Sequence, residues 1–127
     1  EKLKYMDGFN HINLRFKKKY KLGLVTSTGP ELVDHIDGLL SVYNKFDLVI
    51  NSSDTLLHKP NPEPYLFAIN RLNLKPSECI VIEDSIQGIK AGKAAGCYVI
   101  ALEGSLENSF LNEADYIISS FYDLNTI

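Results

Sequence analysis

No apolar run in this 127-residue sequence approaches the ~20 residues needed to span a bilayer, so no membrane partner is expected. The N-terminus also lacks the charged-then-apolar layout of a secretory signal. Basic charge is short: 13 Lys and Arg face 16 Asp and Glu, and the net charge of −3 argues against nucleic acid as a general partner. The cluster Lys17-Lys18-Lys19, extended a little by Lys21, reads as a solvated helix end, where cations suit the local partial charge. Cysteine is scarce. Cys79 opens an apolar run and Cys97 precedes another, so both read as small core residues without metal-ligand spacing, and a reducing cytoplasm is the expected compartment. The histidines His11, His35 and His58 are scattered, and only His58 falls near the residues singled out below. No internal repeat, linker or low-complexity segment is present.

What remains is ordinary globular composition, with 45% apolar and 23% charged residues, enough for one domain with a real core. Strand-like and helix-like patterns alternate with short connections, the signature of a parallel α/β sheet flanked by helices. The periodicity predicts helices over residues 3–19, from Pro30 through Tyr43, over residues 65–72, and from Ile86 onward. Strands are expected at 22–26, 46–50, 79–83, 98–102 and 116–118, with a polar loop at 51–58 and a looser stretch at 104–112. Gly88, Gly92 and Gly96 recur at every fourth position of one helix. Each costs about 1 kcal/mol against alanine there, so the spacing predicts close approach of that helix to the sheet.

The run Cys79-Ile80-Val81-Ile82 ends abruptly in Glu83-Asp84, followed at once by the small-residue helix. In open parallel sheets ligands bind at the carboxyl ends of strands. Burying two adjacent carboxylates is costly without a cation or hydrogen-bond donors, and magnesium is the usual oxygen-seeking ion for such a pair. Acidic residues also suit a helix N-terminus, which accounts for one carboxylate better than for two. Two more polar elements stand at strand tips, Thr26-Ser27 and Lys59. Together the three elements can hold a phosphoryl group beside a cation: the hydroxyl donates to oxygen, the ammonium neutralises charge and the carboxylates hold the ion. Taken alone, Thr26 is equally a helix cap and Lys59 a surface lysine before proline; Pro60, Pro62 and Pro64 would give it a stiff mount.

Taken together, these residues resemble the haloacid dehalogenase superfamily, on its β-phosphoglucomutase-like phosphatase branch. Leu22-Gly23-Leu24-Val25-Thr26-Ser27 is similar to the family's second motif, whose strand-end hydroxyl binds phosphate. His58-Lys59-Pro60-Asn61-Pro62-Glu63-Pro64-Tyr65 is similar to the lysine-bearing third. Glu83-Asp84-Ser85 with Gly88, Ala91, Gly92, Ala95 and Gly96 is similar to the metal-binding fourth, and Glu113 to Ser119 to the closing strand. The resemblance implies a Rossmann-like core and a phosphatase of small phosphorylated metabolites. It assigns Thr26 and Lys59 to catalysis, Thr26, Ser27 and Lys59 to substrate binding, and Glu83 and Asp84 to Mg2+.

One family feature is missing. The nucleophile of that family is the first aspartate of an Asp-x-Asp pair on the central strand, and no two of Asp7, Asp34, Asp37, Asp47, Asp54, Asp84, Asp115 and Asp123 are two apart. Asp7 has no buried strand before it and is not read as the nucleophile. Residues 1–127 are therefore read as a partial core domain, incomplete at its central strand and without a cap. Strands pair about 4.8 Å apart, so omitting one opens a gap about twice as wide between two apolar edges. Such edges invite strand exchange or pairing with another copy. The expected enzyme is a truncated magnesium-dependent phosphatase, inactive as this chain alone. A sugar-phosphate mutase of the same family, or a non-catalytic phosphate- or metal-binding or chain-pairing module, are the alternatives.

Overall fold

The computed structural model describes residues 4–6, 8–104 and 111–126. In chain order they form α1 (Phe9–Phe16), β1 (Gly23–Val25), α2 (Pro30–Leu40), β2 (Leu48–Ile50), α3 (Glu63–Arg71), β3 (Ile80–Glu83), α4 (Ile86–Ala94), β4 (Tyr98–Leu102) and β5 (Tyr116–Ile118). Short 3-10 turns at Tyr43–Lys45 and Pro76–Glu78 and a longer one at Phe121–Thr126 complete it. Every strand pairing is parallel, as the alternation of strands and helices demands. The strands divide into two sheets, β1-β2 and β3-β4-β5, and β1 and β3 face each other unpaired.

The middle strand β4 explains the layering. Its side chains alternate across the sheet. Val99 and Ala101 point into a core with Tyr65 and Ile69 of α3, Ile89 and Ala91 of α4, and Leu111. Ile100 and Leu102 point the other way, onto Ile12 of α1, Ile118 of β5 and Leu124 of the last turn. Two apolar layers around one strand require helices on both faces, and the fold supplies them.

Several element boundaries differ from the sequence reading. The first helix is shorter than residues 3–19: Gly8 sits at φ 83°, which ends any helix on its N-terminal side. On the other side, Lys19 and Tyr20 both fold back onto the Phe16 carbonyl. The second helix stops at Leu40 because Ser41 turns left-handed, and a 3-10 turn carries Tyr43. The third begins at Glu63, two residues early, since Pro64 is tolerated in a first turn. Gly96 does not approach the sheet; at φ +90° it makes the turn after α4, whereas Gly88 and Gly92 do make close approaches. Asp7 and most of 104–112 fall outside the described residues. No helix among the described residues is long and apolar enough to cross a membrane.

Candidate functional site

Between β1 and β3 lies a cavity of about 870 Å3. Its walls are apolar, with Leu24 and Val25 on one side and Val81 and Ile82 on the other. Thr26, Ser27, Lys59, Glu83 and Asp84 also line it, so the cavity gathers every residue singled out, although Lys59 comes from the loop after β2 and not from a strand tip as expected.

Each is placed by its own local structure. Thr26 follows β1, and its Oγ1 accepts from the Thr28 amide at 3.1 Å. That turn uses a lone pair and leaves the hydroxyl proton available to an acceptor. Capping the chain's bend and donating to a ligand therefore coexist. Ser27 is exposed beside it. Lys59 is delivered by the loop after β2, which is braced at several points. Asn51 donates its amide to Asp54 and accepts from Ser53, while the Glu63 carboxylate accepts from the Leu56 and Leu57 amides at 3.1 and 3.2 Å. An acidic Glu63 in the first turn of α3 also suits the positive end of that helix.

From that mount Lys59 Nζ donates to the Val25 carbonyl at 3.0 Å and to Glu83 Oε2 at 2.5 Å. Lys59 thereby ties the tip of β1 to the tip of β3 across the mouth of the cavity. Both partners are largely out of water, with side chains 13% and 8% exposed. The Tyr65 hydroxyl of α3 donates to the same Glu83 oxygen, and its ring lies 5.1 Å below the ammonium. Burial first, then the Glu83 charge, hold the Tyr65 hydroxyl far above its ordinary range, so it remains a neutral donor. Ser85 caps α4 by accepting from the Gly88 amide at 3.0 Å, and its hydroxyl reaches Glu83 Oε1 at 3.3 Å. Gly88 is required here: a methyl at that position would overlap the Glu83 carboxyl group. Asp84, next in sequence, is exposed at the same mouth.

Tyr65, Ser85, Gly88, Glu63 and the Asn51 turn are working parts that the sequence reading did not assign to the site. Of the histidines, His58 is exposed beside Lys59, while His11 on α1 bonds Asn125 of the last turn. Both cysteines are free thiols, Cys97 buried and Cys79 partly so.

Magnesium, which the sequence resemblance implies, can be tested against this donor set. Glu83 and Asp84 offer adjacent hard oxygens at the tip of β3, and among the described residues no third His, Cys, Asp or Glu joins them. Mg2+ keeps several waters and is commonly held by one or two carboxylates together with substrate phosphate. The pair fits the ion in kind.

Known proteins match this chain over most of its length. The family described as haloacid dehalogenase-like hydrolase matches residues 1–102. A phosphoglycolate phosphatase of Salmonella choleraesuis (strain SC-B67) is 37% identical over 106 residues, covering 81% of this chain and 42% of that protein. Among solved structures, a hydrolase of the same family (family IA, variant 3) from Entamoeba histolytica superposes with a TM-score of 0.88 at 27% identity, over 97% of this chain and 58% of that one. A β-phosphoglucomutase from Clostridium difficile superposes with a TM-score of 0.79 at 25% identity, over 94% and 52%. The chain thus spans about half the length of each of these three proteins.

Proposed function

The chain belongs to the haloacid dehalogenase-like hydrolase family, and from that premise we propose that it carries the phosphate- and cation-binding part of a phosphatase acting on small phosphorylated metabolites. The observation that supports this most is the Lys59 bridge from Val25 to Glu83, which sets a cation and a carboxylate at one mouth beside Thr26. A phosphoryl group at that mouth takes hydrogen bonds from the Thr26 hydroxyl and the Ser27 amide, and Lys59 offsets its charge. Glu83 and Asp84 would hold Mg2+, which when bound supplies further neutralisation of phosphate charge.

In this reading the attacking group is an aspartate on a strand seated between β1 and β3. Its carboxylate oxygen bonds phosphorus as the ester P–O bond breaks, and the leaving alkoxide takes a proton from solvent to depart as the alcohol. Water then attacks the aspartyl-phosphate, releasing inorganic phosphate and restoring the carboxylate. Lys59, at the top of the cavity, is placed to orient that carboxylate as well as the phosphate. The likeness to β-phosphoglucomutase supports a second reading, in which the same core returns the phosphoryl group to a sugar.

The test is Mg2+-dependent hydrolysis of an aryl phosphate by these 127 residues and by a longer chain bearing an apolar strand that ends in Asp-x-Asp. Turnover by the longer chain alone is the expected result; its products on a sugar phosphate, inorganic phosphate or the isomeric phosphate, separate phosphatase from mutase. Turnover by the 127 residues, abolished in Glu83→Ala, overturns the reading of an aspartate supplied from elsewhere.

A further inference from the structure

The two oxygens of the Glu83 carboxylate have unequal surroundings. Oε2 accepts from both the Lys59 ammonium and the Tyr65 hydroxyl. Oε1 accepts one hydrogen bond, from the Ser85 hydroxyl at a long 3.3 Å, while the Ser85 oxygen itself accepts from the Gly88 amide. The carboxyl group is also wedged beneath the first turn of α4, where only glycine leaves it room. Rotating it to free Oε2 would leave the buried Tyr65 hydroxyl without its acceptor and Lys59 with the Val25 carbonyl alone.

We infer that Tyr65, acting with Lys59 on Oε2, presents Glu83 to a cation through Oε1 alone and so biases the site toward Mg2+ and against Ca2+. The inference rests on the cation reading of Glu83 and Asp84 given above. Its chemistry is general. Mg2+ demands a compact octahedron that one oxygen per carboxylate satisfies, whereas Ca2+ takes six to eight oxygens and readily uses both oxygens of one carboxylate. A carboxylate with one oxygen committed by two donors supports the first geometry and handicaps the second. Tyr65 is thus a positioning residue: it touches the ligand-bearing side chain and not the cation. Nothing about its place on the buried face of α3 requires a hydroxyl; phenylalanine would fill the same space.

The experiment is calorimetric titration of MgCl2 and of CaCl2 into the full-length protein, its Tyr65→Phe variant and its Lys59→Met variant, with thermal unfolding recorded for each. Tyr65→Phe keeps the ring and its packing and frees Oε2 from one donor. The ratio of Mg2+ to Ca2+ affinity is expected to fall about tenfold in Tyr65→Phe, within the usual range for partners that orient a metal ligand. It should move the same way in Lys59→Met; because losing a positive charge helps both cations alike, only the ratio is informative. If Tyr65→Phe fails to fold, the Lys59→Met ratio decides. An unchanged ratio, with both cations binding the wild type, overturns the inference and leaves the cation site standing. Absence of Mg2+ binding to the wild type overturns both.

Discussion

Replacing Gly88 by alanine places a methyl group where the Glu83 carboxyl now lies, with its three nearest atoms all belonging to that group. Backbone does not have to give way, because the carboxylate ends a side chain and can swing toward the cavity. That swing separates it from Tyr65 and Lys59. A buried hydroxyl left unpaired costs about 1–3 kcal/mol, and the loss of a partly buried ion pair adds about 1 kcal/mol. Alanine in a helix returns about 1 kcal/mol. The net is a loss of about 1–3 kcal/mol, or a fall in Tm of about 4–12 °C for a domain of this size. Thermal unfolding of the full-length Gly88→Ala protein by circular dichroism measures it, and calorimetric Mg2+ binding in the same samples should weaken at least tenfold as Glu83 leaves its seat. Unchanged Tm together with unchanged Mg2+ affinity would mean the carboxylate is not held beneath α4, and the account of this site would fall.

Gly92→Ala is the matched control on the same helix: its methyl would lie 2.8 Å from Val99 Cγ2 and 3.1 Å from Val81 Cγ1, in the apolar layer. Overpacking of about 1–3 kcal/mol should lower Tm while leaving Mg2+ affinity at the wild-type value. Gly38→Ala, inside α2 with nothing within 4 Å of the new methyl, should raise stability by about 0.5–1 kcal/mol, read as a higher denaturant midpoint. Asp115 accepts from Lys93 and from the Val99 amide, and these bonds hold its carboxyl below the ordinary 3.8. Its contribution is therefore full above that pH and lost as pH falls through the depressed folded value. The stability gap between wild type and Asp115→Asn should be widest above pH 3.8 and close below it; a gap independent of pH in acid unfolding refutes the assignment.

The fold was legible where apolar runs are short and uninterrupted. Residues 98–102 and 116–118 are strands to the residue; β4 is buried on both faces from Val99 onward, so alternation is not needed to recognise it. The missing Asp-x-Asp motif led to the expectation of a gap beside the strand ending at Thr26, and among the described residues β1 and β3 are edge strands of separate sheets. Helix ends were harder. Phe9, Ile12 and Phe16 repeat at helical spacing, but nothing local says that Gly8 adopts a left-handed turn against Tyr122, more than a hundred residues away. The 3-10 turns are too short to show periodicity, and the one at Pro76–Glu78 is set locally by its proline and by the Glu78 side chain accepting from the Lys75 amide.

The site divides along a different line. An acidic pair ending an apolar run is conspicuous because burying carboxylates is expensive, so Glu83 and Asp84 stood out in the bare sequence, and Lys59 stood out through the prolines that follow it. Their partners did not, because each has a blander use. In the structure Tyr65 packs in the core, Ser85 caps α4 and Gly88 makes the close approach its spacing predicted. What they add depends on orientation: the Tyr65 hydroxyl, the Ser85 hydroxyl and the space above Gly88 converge on one carboxylate from α3 and α4. One clue was available. A tyrosine at a covered position needs a partner for its hydroxyl, and among the described residues the buried polar side chains are Asn13 and Glu83. Glu83, at the end of a buried strand beneath a glycine-bearing helix, is the acceptor that such a tyrosine would be expected to find.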